Sequence, residues 1–302
     1  MDRTAWAPVA ALLVVQGFFG SLAVIGKIVL AEVPPLLLLA LRIVPAAGVF
    51  FVFERAFVRE RLRDMRDVWV VGGLSLLGVV LNMGLFLFGL ARTTPTNAIV
   101  LITSIPVFTL LVAVLLGHER LRLGNGLGLG LALGGVLFLL GSGFAAQREY
   151  FVGNLFVVMN SLSYAIYLVL SRPLLARYDP ITLVTYTFLW GAVFAIPLGL
   201  YAAATSDLAA ISGRAWWGAA YVVVFVTIVV YYLNNWALRR VPSSTVAIYI
   251  YIQPLVAALL AYLLLDEVPT TRTIIAAVPI FVGVALATRR APPATRAAVP
   301  QE

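Results

Sequence analysis

The sequence contains no cysteine, one histidine and one lysine. Without cysteine the chain has no disulfide and no thiolate metal ligand, and His118 alone cannot form a histidine cluster. Only 11% of the residues are charged, which is too few to cover the surface of a water-soluble domain. These absences argue against redox chemistry, zinc chemistry and a soluble fold, and we expect no cofactor and no metal.

What the sequence has instead is a series of long apolar stretches, with 62% hydrophobic residues and a mean hydropathy of +1.02. Crossing about 30 Å of hydrocarbon takes roughly 20 helical residues, and only helices or closed barrels satisfy the backbone there. Runs of Leu, Val and Ala of this length predict helices embedded in a lipid bilayer. The predicted spans are 9–30, 36–53, 68–90, 95–116, 124–141, 153–171, 181–203, 215–236, 243–264 and 272–288.

The basic residues outside these spans alternate between two sides of the predicted membrane, and they divide 15 to 4. One side receives Arg3, Arg55, Arg59, Arg61, Arg63, Arg66, Arg120, Arg122, Arg172, Arg177, Arg239, Arg240, Arg289, Arg290 and Arg296. The other side receives Arg92, Arg148, Arg214 and Arg272. By the positive-inside rule both termini are predicted to be cytoplasmic, and the net charge of +8 reflects topology rather than nucleic-acid binding.

An internal repeat is visible when the chain is shifted by 148 residues without a gap. The shift pairs Arg92 with Arg240, Pro106 with Pro254, Glu119 with Glu267 and Gly135 with Gly283. Each half holds five helices, an odd number, so the second half is inverted in the membrane. We predict a first repeat at 9–143 and a second at 151–289, between a cytoplasmic N-terminus at 1–8 and a disordered tail at 290–302. Inverted repeats place a substrate site near the bilayer midplane.

Two basic residues lie inside predicted spans, where topology does not explain them. Lys27, the single lysine, is a candidate amine for a substrate carboxylate; the alternatives are that it reaches the outer headgroups or pairs with Glu32. Arg42 lies seven residues into the second span. An internal ion pair or a carbonyl clamp is favoured there over direct contact with substrate.

Polar and aromatic residues that recur at helical spacing predict the walls of a substrate cavity. The sixth span carries four of them on one face, and the alternative for each aromatic elsewhere is a place in an interfacial belt. The candidate substrate residues, with Lys27, are Gln16, Asn82, Phe86, Asn97, Ser104, Asn160, Ser163, Tyr164, Tyr167, Tyr232, Tyr249 and Gln253.

Prolines and glycines mark two further features of the spans. Pro106 and Pro254 fall within spans four and nine, where each can kink its helix and serve either as a gate hinge or as a static bend. Gly126, Gly130 and Gly134 recur every four residues in span five and are expected to pack, together with Gly283 in span ten, as a scaffold pair. A homodimer contact is the alternative use of these glycines.

The ordered landmarks resemble the drug/metabolite transporter superfamily, specifically the EamA-type exporters. The likeness rests on proline in spans four and nine followed by Glu119 and Glu267, on Leu41-Arg42, and on the glycine-rich span five. It implies metabolite export, often of amino acids, through a cavity lined by spans one, three, four, six, eight and nine. The tyrosine-rich second half is most similar to exporters of aromatic and other neutral amino acids of the YddG type.

We therefore predict a monomeric, multi-pass carrier of the bacterial inner membrane that exports amino acids or related small metabolites by alternating access. Its partners are a small-molecule substrate and the lipid bilayer, with no nucleic acid. The alternatives are a membrane-embedded enzyme or a scramblase acting on lipid-like substrates. An enzyme is disfavoured because the chain lacks the acid, base, nucleophile and metal clusters that such catalysis needs.

Overall fold

A computed structural model describes residues 3–119, 123–146, 148–238, 249 and 252–287, and their regular structure is entirely helical. Within these residues we number ten helices, several of which consist of successive segments. They are α1 (Arg3–Leu30), α2 (Pro35–Phe53 and Glu54–Val58), α3 (Met65–Ser75, Leu76–Leu81 and Asn82–Arg92), α4 (Pro95–Ile102 and Ile105–Leu115), α5 (Leu123–Ala146), α6 (Arg148–Leu175), α7 (Pro180–Thr205), α8 (Gly213–Tyr221, Val222–Val229 and Val230–Leu238), α9 (Gln253–Leu265) and α10 (Thr271–Ala287).

Helices α1 to α8 are each long and apolar enough to cross a membrane, whereas the described parts of α9 and α10 are shorter. The prediction of an all-helical, membrane-embedded chain is therefore confirmed, and eight of the ten predicted spans have crossing length in the part of the chain described. The predicted tail at 290–302 and seven of the topology-defining arginines lie outside the described residues.

The helices pack in pairs. The most extensive contacts join α2 to α7, α5 to α10, α3 to α6 and α1 to α8. The pair α2 and α7 approaches closely at Gly199, where an added methyl group would lie 2.3 Å from the Cβ of Ala40. Small residues allow such close approach between membrane helices, where van der Waals packing replaces the hydrophobic effect as the driving force.

The contact between α5 and α10 uses a different face of α5 from the one predicted. A methyl group at Gly283 would lie 2.5 Å from the backbone nitrogen of Ala132, and one at Gly135 would lie 2.7 Å from Ile280. Gly130 and Gly134 face open space, with no atom within 4 Å of an added methyl. Gly126 is only half-buried. Gly283 thus lies against α5, whereas Gly130 and Gly134 lie off the row that contacts α10, because the contact row is displaced along the helix surface.

The connections between helices gather at two opposite ends of the bundle. One end brings together the turns that follow α1, α3, α7 and α9, and Arg92 and Arg214 lie there; we call it the arginine-poor end. The other end joins the segment after α2 to the α6–α7 connection and holds seven of the described arginines: Arg55, Arg59, Arg61, Arg63, Arg66, Arg172 and Arg177. We call it the arginine-rich end. The two ends separate the arginines as the alternation in the sequence predicted.

The segment 54–67 combines a helical turn with a connection that is fixed by side-chain contacts. Helix α2 continues through a π-helical turn to Val58, and the residues that follow are held by the α6–α7 connection. The Glu60 carboxylate accepts a hydrogen bond from the Asp179 nitrogen at 2.7 Å. Asp67 accepts from Arg177 and from the Tyr178 hydroxyl, both at 2.7 Å.

Three helices are interrupted in their middle. Helices α3 and α8 each contain a π-helical segment, Leu76–Leu81 and Val222–Val229. Helix α4 breaks at Thr103 and Ser104, and its second segment begins at Ile105. Pro106 and Pro254 therefore lie in the first turns of helical segments, where proline removes no hydrogen bond, and not in uninterrupted helix as predicted.

Candidate functional site

The polar face of α6 packs against the π-helical segment of α3. The Asn160 amide donates to the backbone oxygen of Asn82 at 2.6 Å, and the Ser163 hydroxyl donates to that of Leu77 at 2.8 Å. The ring of Tyr167 covers Gly78, where an added methyl group would lie 2.4 Å from the ring. Asn160 and Ser163 each donate one hydrogen bond to the backbone of α3 and so contribute to packing. The buried Oδ1 of Asn160 accepts no hydrogen bond from the described residues.

Lys27 has a role that the sequence reading did not consider. Its ammonium donates to three backbone oxygens at the end of α3, those of Leu90, Ala91 and Thr93, at 2.8–3.0 Å. Such oxygens have no partner within the helix, and a cation at this end also meets the negative pole of the helix dipole. All three donors of Lys27 are engaged, so a free substrate amine is not present in this conformation.

The alternative for Lys27, an ion pair with Glu32, is not found among the described residues. Glu32 instead accepts hydrogen bonds from the backbone nitrogen and the hydroxyl of Ser212, at 2.7 and 2.9 Å. These two bonds hold the pKa of Glu32 below its ordinary value, since they stabilise the ionised carboxylate. Glu32 therefore ties the turn after α1 to the start of α8.

Other predicted substrate residues link the two halves of the chain. The Gln253 amide of α9 donates to Gln16 of α1 at 2.6 Å, with both side chains buried. At the arginine-poor end the Thr273 hydroxyl donates to Asn97 at 2.7 Å. The hydroxyl of Ser104 bonds within its own helix to Leu101.

The remaining candidates are aromatic or lie away from these links. Phe86 is buried in the main core. Tyr249 packs beside Leu12 and Ala237. Tyr232 is 43% exposed and packs edge-on against Phe53, with ring centroids 5.3 Å apart. The predicted residues therefore occupy several places along the interior and do not form one cluster.

A buried arginine lies against the π-helical segment of α8. Arg42 is 3% exposed, and its Nε donates to the hydroxyl of Thr227 at 3.2 Å. That hydroxyl in turn donates to the backbone oxygen of Val222, five residues earlier, at 3.1 Å. Thr227 was not among the predicted site residues. The signal that could have found it is a single hydroxyl within the run Val222–Val229 of otherwise apolar residues.

Three tyrosines from two helices converge towards this arginine. Tyr231 of α8 lies near Arg42 and near Tyr167, and Tyr164 of α6 lies near Tyr231. The rings of Tyr164 and Tyr167 stack with centroids 5.8 Å apart. Helices α2, α6 and α8 thus bring one guanidinium and three phenols together inside the bundle. We call Arg42, Thr227, Tyr164, Tyr167 and Tyr231 the arginine site.

An apolar cavity adjoins the arginine site. Phe50, Phe188 and Tyr231 form an aromatic triangle with ring centroids 5.0–6.0 Å apart. Phe50 and Tyr231 also border a cavity of about 330 Å³ between α2, α7 and α8. Its other lining residues are Val49, Phe53, Ile181, Val184, Ile228, Val229 and Tyr232. This volume is at the lower end of the range of about 300–1,000 Å³ found for small-molecule pockets.

A second buried charge lies at the arginine-rich end and was also missed by the sequence reading. Glu54, in the π-helical turn that ends α2, is 1% exposed. Its carboxylate lies 3.5 Å from the Nε of Arg55 and accepts no hydrogen bond from the described residues.

A sequence profile of the EamA-like transporter family matches this chain twice, over residues 6–141 and again over 151–289. The chain belongs to the EamA-like transporter family. It is therefore a multi-pass membrane transporter with a small-molecule substrate, and the resemblance to the EamA family is confirmed, whereas the similarity to the YddG type stays a prediction.

Relatives of this EamA-like protein come from archaea, bacteria and plants. An uncharacterized transporter of Archaeoglobus fulgidus is 29% identical over 220 residues, 72% of this chain and 75% of the relative. The "Probable terminal-alkyne amino-acid exporter" of Streptantibioticus cattleyicolor is 26% identical over 237 residues, 77% of this chain and 76% of the relative. The protein WALLS ARE THIN 1 of Arabidopsis thaliana is 25% identical over 245 residues, 70% of this chain and 63% of the relative.

The fold has also been seen before in a crystal structure. That structure covers 95% of this chain and 98% of its own, with a TM-score of 0.61 and 22% identical residues. At this level of identity the likeness extends to the fold alone.

Proposed function

We propose that this transporter exports amino acids or related small metabolites across the bacterial inner membrane by alternating access between two inverted repeats of five helices. The observation that carries the proposal is the group of buried polar side chains that links both halves in the interior, with the arginine site among them. The name of one relative, an amino-acid exporter, supports the choice of substrate.

The pairing of the helices supports two repeats related by a two-fold axis. In two such repeats, α1 to α5 correspond to α6 to α10. When each helix is replaced by its counterpart, the pairs α5–α10 and α2–α7 stay the same. The pair α1–α9 becomes α6–α4, and the pair α3–α6 becomes α8–α1. All of these pairs are in contact. The two profile matches, 6–141 and 151–289, agree with the same division.

The distribution of arginines supports an orientation with both termini in the cytoplasm. In the proposed topology the arginine-rich end faces the cytoplasm and the arginine-poor end faces outward. The export path then runs from the arginine-rich end, past the arginine site, to the arginine-poor end.

The arginine-poor end carries contacts between the halves that this path must break. Glu267 accepts a hydrogen bond from the Thr96 nitrogen at 3.2 Å, which places the carboxylate at the positive start of α4. Thr273 bonds to Asn97 beside it. We propose that these contacts form an outer gate. The break before Pro106 in α4 serves as its hinge, and Pro254 occupies the corresponding place in α9.

Counterflow in proteoliposomes tests the proposed substrate class. Vesicles holding purified protein are loaded with one unlabelled metabolite and exposed to labelled amino acids, nucleosides, sugars and organic acids in turn. We expect accumulation of at least one labelled amino acid above that of protein-free vesicles. Exchange that is confined to the other classes contradicts amino-acid export, and no exchange at all contradicts carrier function.

Cross-linking tests the outer gate, since the chain has no native cysteine. In the variant with both Asn97→Cys and Thr273→Cys, a short bifunctional thiol reagent should join α4 to α10 and abolish counterflow. The single variants, treated in the same way, keep their activity and serve as matched controls. Full counterflow by the cross-linked double variant would show that the gate does not open during transport.

A further inference from the structure

Arg42 carries a positive charge in the interior of the bundle, well away from either end. It lies seven residues beyond Pro35, the first residue of α2, and hence about 10 Å along the helix axis at a rise of 1.5 Å per residue. Its side chain is 3% exposed. A charge placed here has lost most of its hydration.

The structure supplies this charge with very little compensation. A guanidinium has five N–H donors, and the Nε–Thr227 bond uses one of them. No hydrogen bond from Nη1 or Nη2 to any described residue is present. The three ion pairs of the described chain lie at the arginine-rich end, and Arg42 is in none of them. The internal ion pair and the carbonyl clamp that the sequence favoured for Arg42 are both absent from this part of the chain.

An isolated charge inside a membrane protein costs several kcal/mol unless an opposite charge meets it. Natural proteins retain such charges where a ligand or a pathway uses them. The planar fork of a guanidinium matches a carboxylate through two parallel hydrogen bonds, which a hydroxyl or an amine cannot accept in the same way. The group that fits Arg42 is therefore an anion with a carboxylate-like pair of oxygens.

The surroundings of Arg42 indicate what else the ligand carries. Tyr231, which lies near the guanidinium, belongs to the aromatic triangle with Phe50 and Phe188 and lines the apolar cavity of about 330 Å³. Arg42 itself is not among the residues that line this cavity. Among the described residues that line that cavity, none is acidic and could receive a second, cationic group. A small apolar or aromatic body attached to a carboxylate fits this arrangement.

We propose that Arg42 is the carboxylate-binding residue of the translocation pathway, and that the substrate is a small molecule with one carboxylate and an apolar body. The inference rests on the proposed transport function and narrows its substrate class. Thr227 acts as a positioning residue, because its hydroxyl orients the guanidinium from the backbone of the π-helical segment of α8.

A structural role and a binding role for Arg42 predict opposite effects of removing the charge. If Arg42 only holds helices together, replacing it with methionine destabilises the protein. If Arg42 instead binds a substrate anion, replacing it with methionine removes a buried charge that has no partner in the ligand-free protein. The ligand-free variant should then be at least as stable as the ligand-free wild type.

The experiment measures thermal unfolding in detergent for the wild type and for Arg42→Met, Arg42→Lys and Arg92→Met. Arg92 is an exposed arginine at the arginine-poor end and serves as the matched control. The probes are L-leucine, L-phenylalanine and 3-phenylpropionate, each compared with its primary amide, which keeps the shape and lacks the negative charge.

We expect at least one carboxylate, and none of the amides, to raise the unfolding temperature of the wild type and of Arg92→Met. Arg42→Met should unfold at the same or a higher temperature without ligand and should show no shift with any probe. Arg42→Lys should retain a smaller shift, because lysine keeps the charge but not the fork. In counterflow, Arg42→Met should lose at least tenfold in the rate of carboxylate exchange.

Three results would overturn the proposal. They are a lower unfolding temperature or failure to fold of Arg42→Met, equal shifts by acids and amides, and an unchanged carboxylate response in Arg42→Met. Active counterflow that is insensitive to Arg42→Met leaves transport standing and removes the carboxylate subsite. If carboxylates raise the unfolding temperature but no counterflow is detected, the binding site stands and the proposed transport function is contradicted.

Discussion

The two π-helical segments in the middle of α3 and α8 occupy related places in the chain but different environments. The offset of 148 residues places Leu76–Leu81 on residues 224–229, inside Val222–Val229. In α3 the segment is sealed by α6, through two hydrogen bonds to its backbone and a tyrosine ring on Gly78. In α8 the segment faces Arg42, most of whose donors lack a described partner.

One architecture thus contains a π-helical segment that packs against a neighbouring helix and a second one beside the arginine that we propose binds substrate. π-Helical turns leave backbone oxygens poorly paired and recur at functional sites. In α3 the neighbouring helix satisfies those oxygens, so the segment is a well-packed joint. In α8 the internal hydroxyl of Thr227 does so and holds the guanidinium as well. Two related halves thereby present chemically different faces, which an asymmetric substrate requires.

The largest expected effect comes from opening the seal on α3. Replacing Gly78 by alanine forces the Tyr167 ring away from a position 2.4 Å from the new methyl group. We expect a loss of about 1–3 kcal/mol in stability, typical of overpacking, seen as a lower unfolding temperature in detergent. Gly73→Ala in the same helix meets no atom within 4 Å and is the matched control. Equal unfolding temperatures of the two variants would show that the Tyr167 ring is not tightly packed on Gly78.

The next effect tests whether Asn160 packs or binds substrate. Asn160→Leu removes the donor to the Asn82 oxygen, and hydrogen bonds between membrane helices average about 0.6 and reach about 1.7 kcal/mol. We expect a lower unfolding temperature, with the affinity for substrate unchanged in the protein that remains folded. An unchanged unfolding temperature together with a raised KM in counterflow would show that Asn160 lines the substrate cavity.

A smaller effect on stability, but a specific one on transport, is expected at Thr227. Thr227→Val keeps the shape and removes the acceptor for Arg42. Since one hydrogen bond contributes about 0.5–1.5 kcal/mol, the KM for a carboxylate substrate should rise roughly threefold to tenfold with kcat less affected. Thr227→Ser, which keeps the hydroxyl, should restore the KM. An unchanged KM in Thr227→Val would show that Thr227 does not position Arg42 for substrate binding.

The smallest effect is expected at Ser163, the second donor to the α3 segment. Ser163→Ala loses one hydrogen bond to the Leu77 oxygen and leaves the Tyr167 ring in place. We expect a loss near 0.6 kcal/mol, the average for such bonds in membranes, and full counterflow activity. Transport that falls while the unfolding temperature holds would contradict a packing role for this residue.

The parts of the fold that depend on composition along the chain were predictable. Apolar runs identify helices because no other open structure satisfies the backbone in lipid. The alternation of arginines predicted which connections share an end, and Arg92 and Arg177 lie accordingly at opposite ends. Arg42 stood out for the same reason, because its depth in an apolar run has no topological explanation.

The partners of individual side chains were much less predictable. Helical spacing shows which residues share a face but not what lies opposite that face. For Lys27 the sequence offered a substrate carboxylate, the outer headgroups or Glu32 as partners, whereas its three acceptors come from a helix more than sixty residues later. The glycine row of α5 failed similarly, since glycines occur on several of its faces and packing selected the one with Gly135.

By itself the sequence determined that this protein is a helical membrane transporter, that its ends differ in charge, and that Lys27 and Arg42 are buried cations in need of a reason. Only the tertiary structure showed that the backbone oxygens at the end of α3 compensate the charge of Lys27. Arg42 donates one hydrogen bond to Thr227, and its other donors have no partner among the described residues. The physical cause of this division is that hydropathy and charge act along the chain. The compensation of a buried charge depends instead on which distant atoms the folded helices bring beside it.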